Sequence, residues 1–120
     1  MIIKESAENY LETIYMLNKT KGHARSIDVA NELRFTKASV SVAMKKFRED
    51  GYIIIKEDGG ITLTEKGIKV AERIYERHEV IAKALIAIGV EEKVAYEDSC
   101  KIEHDISEHT FEKLKAFLEK

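Results

Sequence analysis

Five consecutive residues near the end of the chain carry the side chains best suited to bind a metal ion. The segment reads Cys100-Lys101-Ile102-Glu103-His104. On an α-helix, positions i, i+3 and i+4 share one face, so a thiol, a carboxylate and an imidazole would converge there. Sulfur, oxygen and nitrogen atoms of these kinds bind divalent transition metals. The spacing therefore predicts a metal site built on Cys100, Glu103 and His104.

Two other segments offer further ligand atoms. Asn9 and Glu12 are three residues apart on the predicted first helix, and His78 lies on a long helix with Glu79 beside it. Three helices could thus surround one site. Each residue also has a simpler interpretation, because a lone cysteine commonly packs as a small apolar residue and a lone histidine commonly faces solvent. The residue types alone leave both interpretations open.

The elements that must position these side chains follow from apolar periodicity and capping residues. We expect helices over residues 6–18, 26–33, 37–50, 64–88, 91–105 and 107–119, and a β-hairpin between 52–56 and 61–63. Ser26 and Thr36 are the predicted caps of the second and third helices. A short helix, a tight turn, a capped helix and a hairpin form the winged helix-turn-helix plan. The predicted fold is mainly α, with a winged helix-turn-helix domain at 1–70 and an all-helical domain at 71–120.

The third helix has the composition of a DNA-recognition helix. Between Leu33 and Arg48 the chain has five basic residues and no acidic one. Small side chains can approach base edges, hydroxyls can hydrogen-bond there, and a methyl group can touch a thymine methyl, whereas lysines bind phosphates. A solvated amphipathic helix has a similar composition, so a metal-independent winged helix that binds DNA or protein stays an alternative. The predicted DNA-binding residues are Ser26, Thr36, Lys37, Ala38, Ser39, Ser41, Val42, Lys45, Lys46 and Lys56.

Composition limits the remaining possibilities. The chain has 120 residues, of which 44% are hydrophobic and 35% charged, and it has one cysteine and a net charge of −2. No apolar run approaches the ~20 residues that span a bilayer, and the N-terminus lacks the apolar core of a signal peptide, so we expect a cytoplasmic protein without a membrane partner.

A zinc enzyme with Glu103 as base is a rival interpretation. Because no nucleophile motif is evident, we expect neither catalysis nor a small organic substrate.

The C-terminal half has more apolar residues than a domain of its size needs for a core. This excess predicts that two copies of the chain associate through the helical domain. A homodimer would also suit a DNA-binding protein, because paired recognition helices read two half-sites. The predicted dimerisation residues are Ile74, Ile81, Leu85, Ile88, Phe111, Leu114 and Leu118.

Several motifs together resemble one known family. They are AENYLETIYML in the first helix, TKASVS in the third, REDGYI before the hairpin, LTEKG and RHEVI in the long helix, and CKIEHDIS at the metal-binding segment. The chain resembles the diphtheria toxin repressor and manganese transport regulator family of metal-dependent repressors over nearly its whole length. It is similar to the short members, which lack an SH3-like third domain.

The resemblance implies a metal-dependent repressor of iron or manganese homeostasis genes, dimeric on a pseudo-palindromic operator in double-stranded DNA. The implied second metal site is doubtful, because Tyr96 and Ala82 stand where the iron branch has ligands. Glu12 is typical of the manganese branch and Cys100 of the iron branch. Since thiolates favour softer metals, we expect Fe²⁺, with Mn²⁺ as the alternative and Zn²⁺, Co²⁺ or Ni²⁺ binding in vitro. The implied metal ligands are Asn9, Glu12, His78, Cys100, Glu103 and His104.

Overall fold

The structure is a computed structural model that describes residues 5–120, with side chains from Ala7 onward. The chain forms two compact units, Met1–Glu72 and Arg73–Lys120. Among the described residues, no helix combines the length and the apolar character needed to cross a membrane. The elements are α1 (Glu5–Lys21), α2 (Ser26–Leu33), α3 (Lys37–Glu49), β1 (Ile53–Ile55), β2 (Ile61–Leu63), α4 (Glu65–Ala87), α5 (Glu92–Ile102) and α6 (Glu108–Leu118).

The N-terminal unit packs α1, α2 and α3 against a two-stranded antiparallel sheet. Strand β1 pairs with β2 so that Ile53 faces Leu63 and Ile55 faces Ile61. The amide of Ile61 also donates a 2.7 Å hydrogen bond to the carbonyl of Ala24, which fixes the hairpin to the loop before α2. Apolar residues at helical spacing fill the core because each helix buries one face. They include Leu11, Ile14, Val29, Ala30, Val40, Met44 and Phe47.

A tight turn joins α2 to α3. Arg34 adopts a left-handed conformation with φ 59° and ends α2, and the amide of Phe35 donates to the carbonyl of Ala30 at 3.0 Å. Thr36 then caps α3, as the sequence predicted, because its hydroxyl accepts a hydrogen bond from the amide of Ser39 at 3.1 Å. A winged helix-turn-helix unit followed by a helical unit confirms the predicted fold class.

One predicted helix end and one predicted cap in this unit were wrong. Helix α1 continues to Lys21 rather than ending at residue 18, and the positive φ of Gly22 follows it. Ser26 is not the N-cap of α2, because Arg25 occupies that position and its amide donates to the carboxylate of Asp28 at 3.0 Å. The acidic side chain in the first turn thus accepts from the amide of the N-cap residue, whereas a serine cap would have accepted from an amide within the first turn.

The C-terminal unit contains the second half of α4 together with α5 and α6. Ser107 caps α6 by accepting a hydrogen bond from the amide of Thr110 at 3.1 Å. Helix α5 ends at Ile102, whereas the apolar pattern predicted that it would continue to residue 105. Glu103 and His104 therefore lie in the turn after the helix and not on the helix itself. This boundary decides how the predicted metal ligands are presented.

Candidate metal centre and DNA-binding surface

The carboxylate of Glu103 and the imidazole of His78 form the centre of a polar cluster in the C-terminal unit. Helix α4 presents His78, and the turn after α5 presents Glu103. The Nδ1 atom of His78 lies 2.8 Å from Oε2 of Glu103. The Glu103 side chain is 1% exposed and the His78 side chain 17%. A carboxylate this deeply buried needs compensation by opposite charge or hydrogen bonding.

The second carboxylate oxygen of Glu103 lacks a hydrogen bond in the described part of the chain. Oε1 is buried and has no hydrogen-bond partner among the described residues. It lies 3.3 Å from Nε2 of His104, close enough for an ionic contact but without the geometry of a hydrogen bond. An anionic oxygen buried in this way is costly unless a cation or a donor reaches it. The residues present therefore fit a metal ion.

Cys100 brings sulfur to the same cluster. Its Sγ atom lies 3.7 Å from Nδ1 of His78, and the residue is exposed on the last turn of α5. The side chain of His104 is 1% exposed. If Cys100 and His104 joined His78 and Glu103, the donor set would be one sulfur, two imidazoles and a carboxylate, which suits borderline divalent transition metals.

The neighbours of His78 favour a proton on its ring. Hydrogen bonds with the side chains of Cys100, the larger effect, and Glu103 raise the pKa of His78 to about 10, although burial of the ring lowers it. A metal ion bound through Nδ1 would compete with a proton for that atom. Metal binding to such an imidazole must release that proton.

Two residues that the sequence did not single out hold the cluster in shape. The guanidinium of Arg77 donates from Nη1 to the carbonyls of Glu103 at 3.1 Å and Ile106 at 3.0 Å, and from Nη2 to Glu108 at 2.8 Å. These bonds satisfy carbonyls in the turn that follows α5, where no further helical turn supplies donors. The Ser99 hydroxyl donates to the carbonyl of His78 at 2.5 Å.

The remaining predicted ligands belong to α1 in the N-terminal unit. Asn9 and Glu12 are half-buried there, and both interact with other groups. Their role as metal ligands stays a prediction. At the doubtful second site, the Tyr96 hydroxyl donates to Glu79 at 3.1 Å, and Ala82 is fully buried without any ligand atom in its side chain.

The predicted DNA-binding residues form the solvent face of α3 and its surroundings. The side chains of Val40, Met44 and Phe47 are buried against the core. The hydroxyl of Thr36 donates to the Ser39 hydroxyl at 2.9 Å while capping the helix. Ser26 is half-buried on α2, whereas the other nine are exposed, namely Thr36, Lys37, Ala38, Ser39, Ser41, Val42, Lys45, Lys46 and Lys56.

The wing is short and carries both signs of charge. Its turn follows Lys56 with Glu57 and Asp58, and the Asp58 carboxylate accepts a hydrogen bond from the amide of Gly60 at 2.8 Å. Acidic side chains at the tip repel phosphates. The tip of the wing is therefore less suited to phosphate than α3, which has no acidic residue before Glu49.

The predicted dimerisation residues fall into two groups. Ile74, Ile81 and Phe111 are buried in the chain, so their apolar character is explained by its core. Ile88 is 73% exposed. Leu85, Leu114 and Leu118 are half-buried. Phe117, which the apolar pattern also indicated, is exposed, and so are Ile86 and Val94, which the sequence did not single out because periodicity does not separate core from surface at helix ends.

A winged helix-turn-helix unit with a basic helix, and a helical unit with a buried carboxylate beside an imidazole and an exposed thiol, are typical of a metal-responsive DNA-binding regulator. The chain belongs to the iron dependent repressor family. The model of its N-terminal DNA binding domain matches residues 3–61, and the model of its metal binding and dimerisation domain matches residues 64–120.

Individual relatives agree with this assignment. The chain is 38% identical to the HTH-type transcriptional regulator MntR of Lysinibacillus sphaericus, with 95% of this chain and 82% of the relative covered. It is also 38% identical to the HTH-type transcriptional regulator MJ0568 of Methanocaldococcus jannaschii, with 98% and 96% covered. The structure of the manganese regulator SloR superimposes with a TM-score of 0.80 at 25% identity, covering 99% of this chain and 55% of that chain.

Replacing Arg77 should destabilise the turn that presents Glu103. We expect Arg77→Met to lower the free energy of unfolding by about 1–3 kcal/mol, because the carbonyls of Glu103 and Ile106 lose a buried donor. Urea denaturation of the metal-free protein measures this. Lys115→Met is the matched control, since its 3.1 Å ion pair with Glu76 is exposed and should contribute less than about 1 kcal/mol. Equal effects of the two variants would contradict the role assigned to Arg77.

Proposed function

We propose that this chain is a metal-dependent transcriptional repressor that binds operator DNA as a homodimer when a divalent cation occupies the Glu103 cluster. The single observation that carries the proposal is the buried Oε1 of Glu103, which has no hydrogen-bond partner among the described residues. Family membership supports it, because a DNA-binding model and a metal-binding and dimerisation model match in series. A role on DNA favours a cytoplasmic location.

Four residues of the C-terminal unit would hold the ion: His78, Cys100, Glu103 and His104. We propose Asn9 and Glu12 of α1 as additional ligands on the strength of the family resemblance. A bound divalent cation would supply positive charge that compensates Glu103 and any further acidic ligand. Arg77 and Ser99 would keep the ligand atoms in place through their bonds to the carbonyls of Glu103 and His78.

Ligands drawn from both α1 and the C-terminal unit would make the arrangement of the DNA-binding helices depend on metal. A ligand shifts a conformational equilibrium only as far as it binds one state better than the other. Allosteric coupling of this kind is typically about 1–3 kcal/mol, which corresponds to roughly fivefold to 150-fold in affinity. In a dimer, the two copies of α3 would then meet major grooves about 34 Å apart, or a multiple of that distance, on a pseudo-palindromic operator.

We propose Fe²⁺ as the working metal, with Mn²⁺ as the alternative. The thiol of Cys100 lies 3.7 Å from the His78 imidazole, and sulfur ligands favour softer metals than Mn²⁺. The neutral amide of Asn9 would be a weaker ligand than a carboxylate. The 38% identity to the regulator named MntR favours Mn²⁺ instead. The regulated genes would be those of iron or manganese homeostasis.

Metal-dependent DNA binding is the first test. At fixed salt and without oxygen, Fe²⁺ or Mn²⁺ should strengthen binding to operator DNA by roughly fivefold to 150-fold in a mobility shift, and chelator should reverse the effect. Glu103→Gln should abolish the response while the protein stays folded, because a neutral amide replaces the buried anion. Glu97→Gln is the matched control, since Glu97 is an exposed carboxylate on α5.

Two results would contradict the proposal. DNA binding that chelator leaves unchanged would identify a metal-independent winged helix. A full metal response in Glu103→Gln would show that the buried carboxylate is not a ligand. Circular dichroism and thermal melting of both variants would establish that neither result arises from unfolding.

Metal choice should depend on Cys100. We expect Cys100→Glu to improve the Mn²⁺ response relative to the Fe²⁺ response, because a hard carboxylate oxygen replaces a soft sulfur. The measurement is the metal concentration for half-maximal DNA binding, determined anaerobically for both ions with both proteins. An unchanged ratio between the two ions would contradict the assignment of Cys100 as a metal ligand.

Lys45 on the exposed face of α3 should bind phosphate rather than a base. We expect Lys45→Ala to weaken binding about equally on specific and non-specific DNA and to reduce the slope of log K against log salt by about 1. Lys113→Ala provides the control, because Lys113 is exposed on α6 in the other unit. A loss of sequence preference would instead assign Lys45 to base recognition.

A further inference from the structure

The exposed face of α3 contains an apolar side chain that the fold does not explain. Val42 is 71% exposed, more than any other large apolar residue among residues 7–72. The side of α3 that packs on the core is complete without it, since Val40 is fully buried and Met44 is 1% exposed. Exposing a valine gains nothing for folding. The valine is therefore available for a contact outside the chain.

The residues around Val42 indicate what that contact is. Ala38, Ser41 and Lys45 stand at i−4, i−1 and i+3 from Val42 and are exposed with it. Neutral small side chains surround the valine, and the cations Lys45 and Lys46 follow it. A basic border around a small apolar centre is complementary to a DNA groove lined with phosphates. The same border would disfavour a basic protein surface.

The first two turns of α3 contain no side chain that typically reads bases through paired hydrogen bonds with planar groups. From Thr36 to Met44 there is no arginine, asparagine, glutamine or glutamate. The only apolar group that base pairs present in the major groove is the C5-methyl of thymine. A valine in these turns can therefore distinguish bases only through that methyl group.

We propose that Val42 selects thymine at one position of each operator half-site through contact with the C5-methyl group. This inference rests on the proposed function, because it requires that α3 enters the major groove of operator DNA. It adds a residue that determines sequence choice, whereas Lys45 determines affinity. The half-site should accordingly contain a thymine whose methyl group, rather than its hydrogen-bonding groups, is recognised.

The test removes that methyl group from the DNA and the valine from the protein. An operator is selected from random duplex DNA with the metal-loaded protein, and each thymine is then replaced in turn by uracil, which lacks only the C5-methyl. At one position per half-site, uracil should weaken binding of the unaltered protein by about fourfold, the effect of one buried methyl-sized group. Val42→Ala should bind thymine and uracil equally there and keep its response to uracil elsewhere.

Controls separate this inference from the function on which it rests. Glu49→Ala, an exposed change at the end of the same helix, should keep the uracil response. If no uracil substitution matters, or if Val42→Ala keeps the full response, the role of Val42 is overturned while metal-dependent repression stands. A change in oligomeric state with DNA recognition intact would overturn it too, because Val42 would then contact protein. No DNA binding with any metal would overturn both proposals.

Discussion

The burial of a carboxylate with only one satisfied oxygen is the constraint on which the C-terminal unit depends. Glu103 is inaccessible to solvent, and of its two side-chain oxygens only Oε2 has a hydrogen-bonding partner among the described residues, Nδ1 of His78. An arrangement of this kind is costly in the metal-free protein. A divalent cation would relieve that cost, so stability and metal binding are linked at this side chain.

The two units are suited to recognise different partners. The N-terminal unit buries one side of α3 and leaves Ser41, Val42 and Lys45 in solvent, which suits recognition of a duplex. The C-terminal unit buries the carboxylate of Glu103 beside the imidazole of His78, which suits recognition of an ion. Metal can control DNA binding only if the states with and without metal differ in how well they fit DNA.

The sequence predicted the order of elements, because helical periodicity is a local property, and the family resemblance implied that Glu103 and His78 lie together, as they do. It missed the end of α5, where Arg77, which is far away in the sequence, donates to the carbonyl of Glu103 in the turn. It also misplaced the cap of α2, since the cap is Arg25, whose amide donates to the carboxylate of Asp28, and not Ser26. Contacts between distant residues and competition between neighbouring caps are not visible in a periodic pattern.

The most direct test of the metal centre is anaerobic titration of the purified protein with Co²⁺, followed by its visible and near-ultraviolet absorption. The account predicts tight binding with sulfur-to-metal charge-transfer absorption that disappears in Cys100→Ser, and loss of tight binding in Glu103→Gln. Tight Co²⁺ binding with unaltered spectra in both variants would place the ion elsewhere and contradict the account.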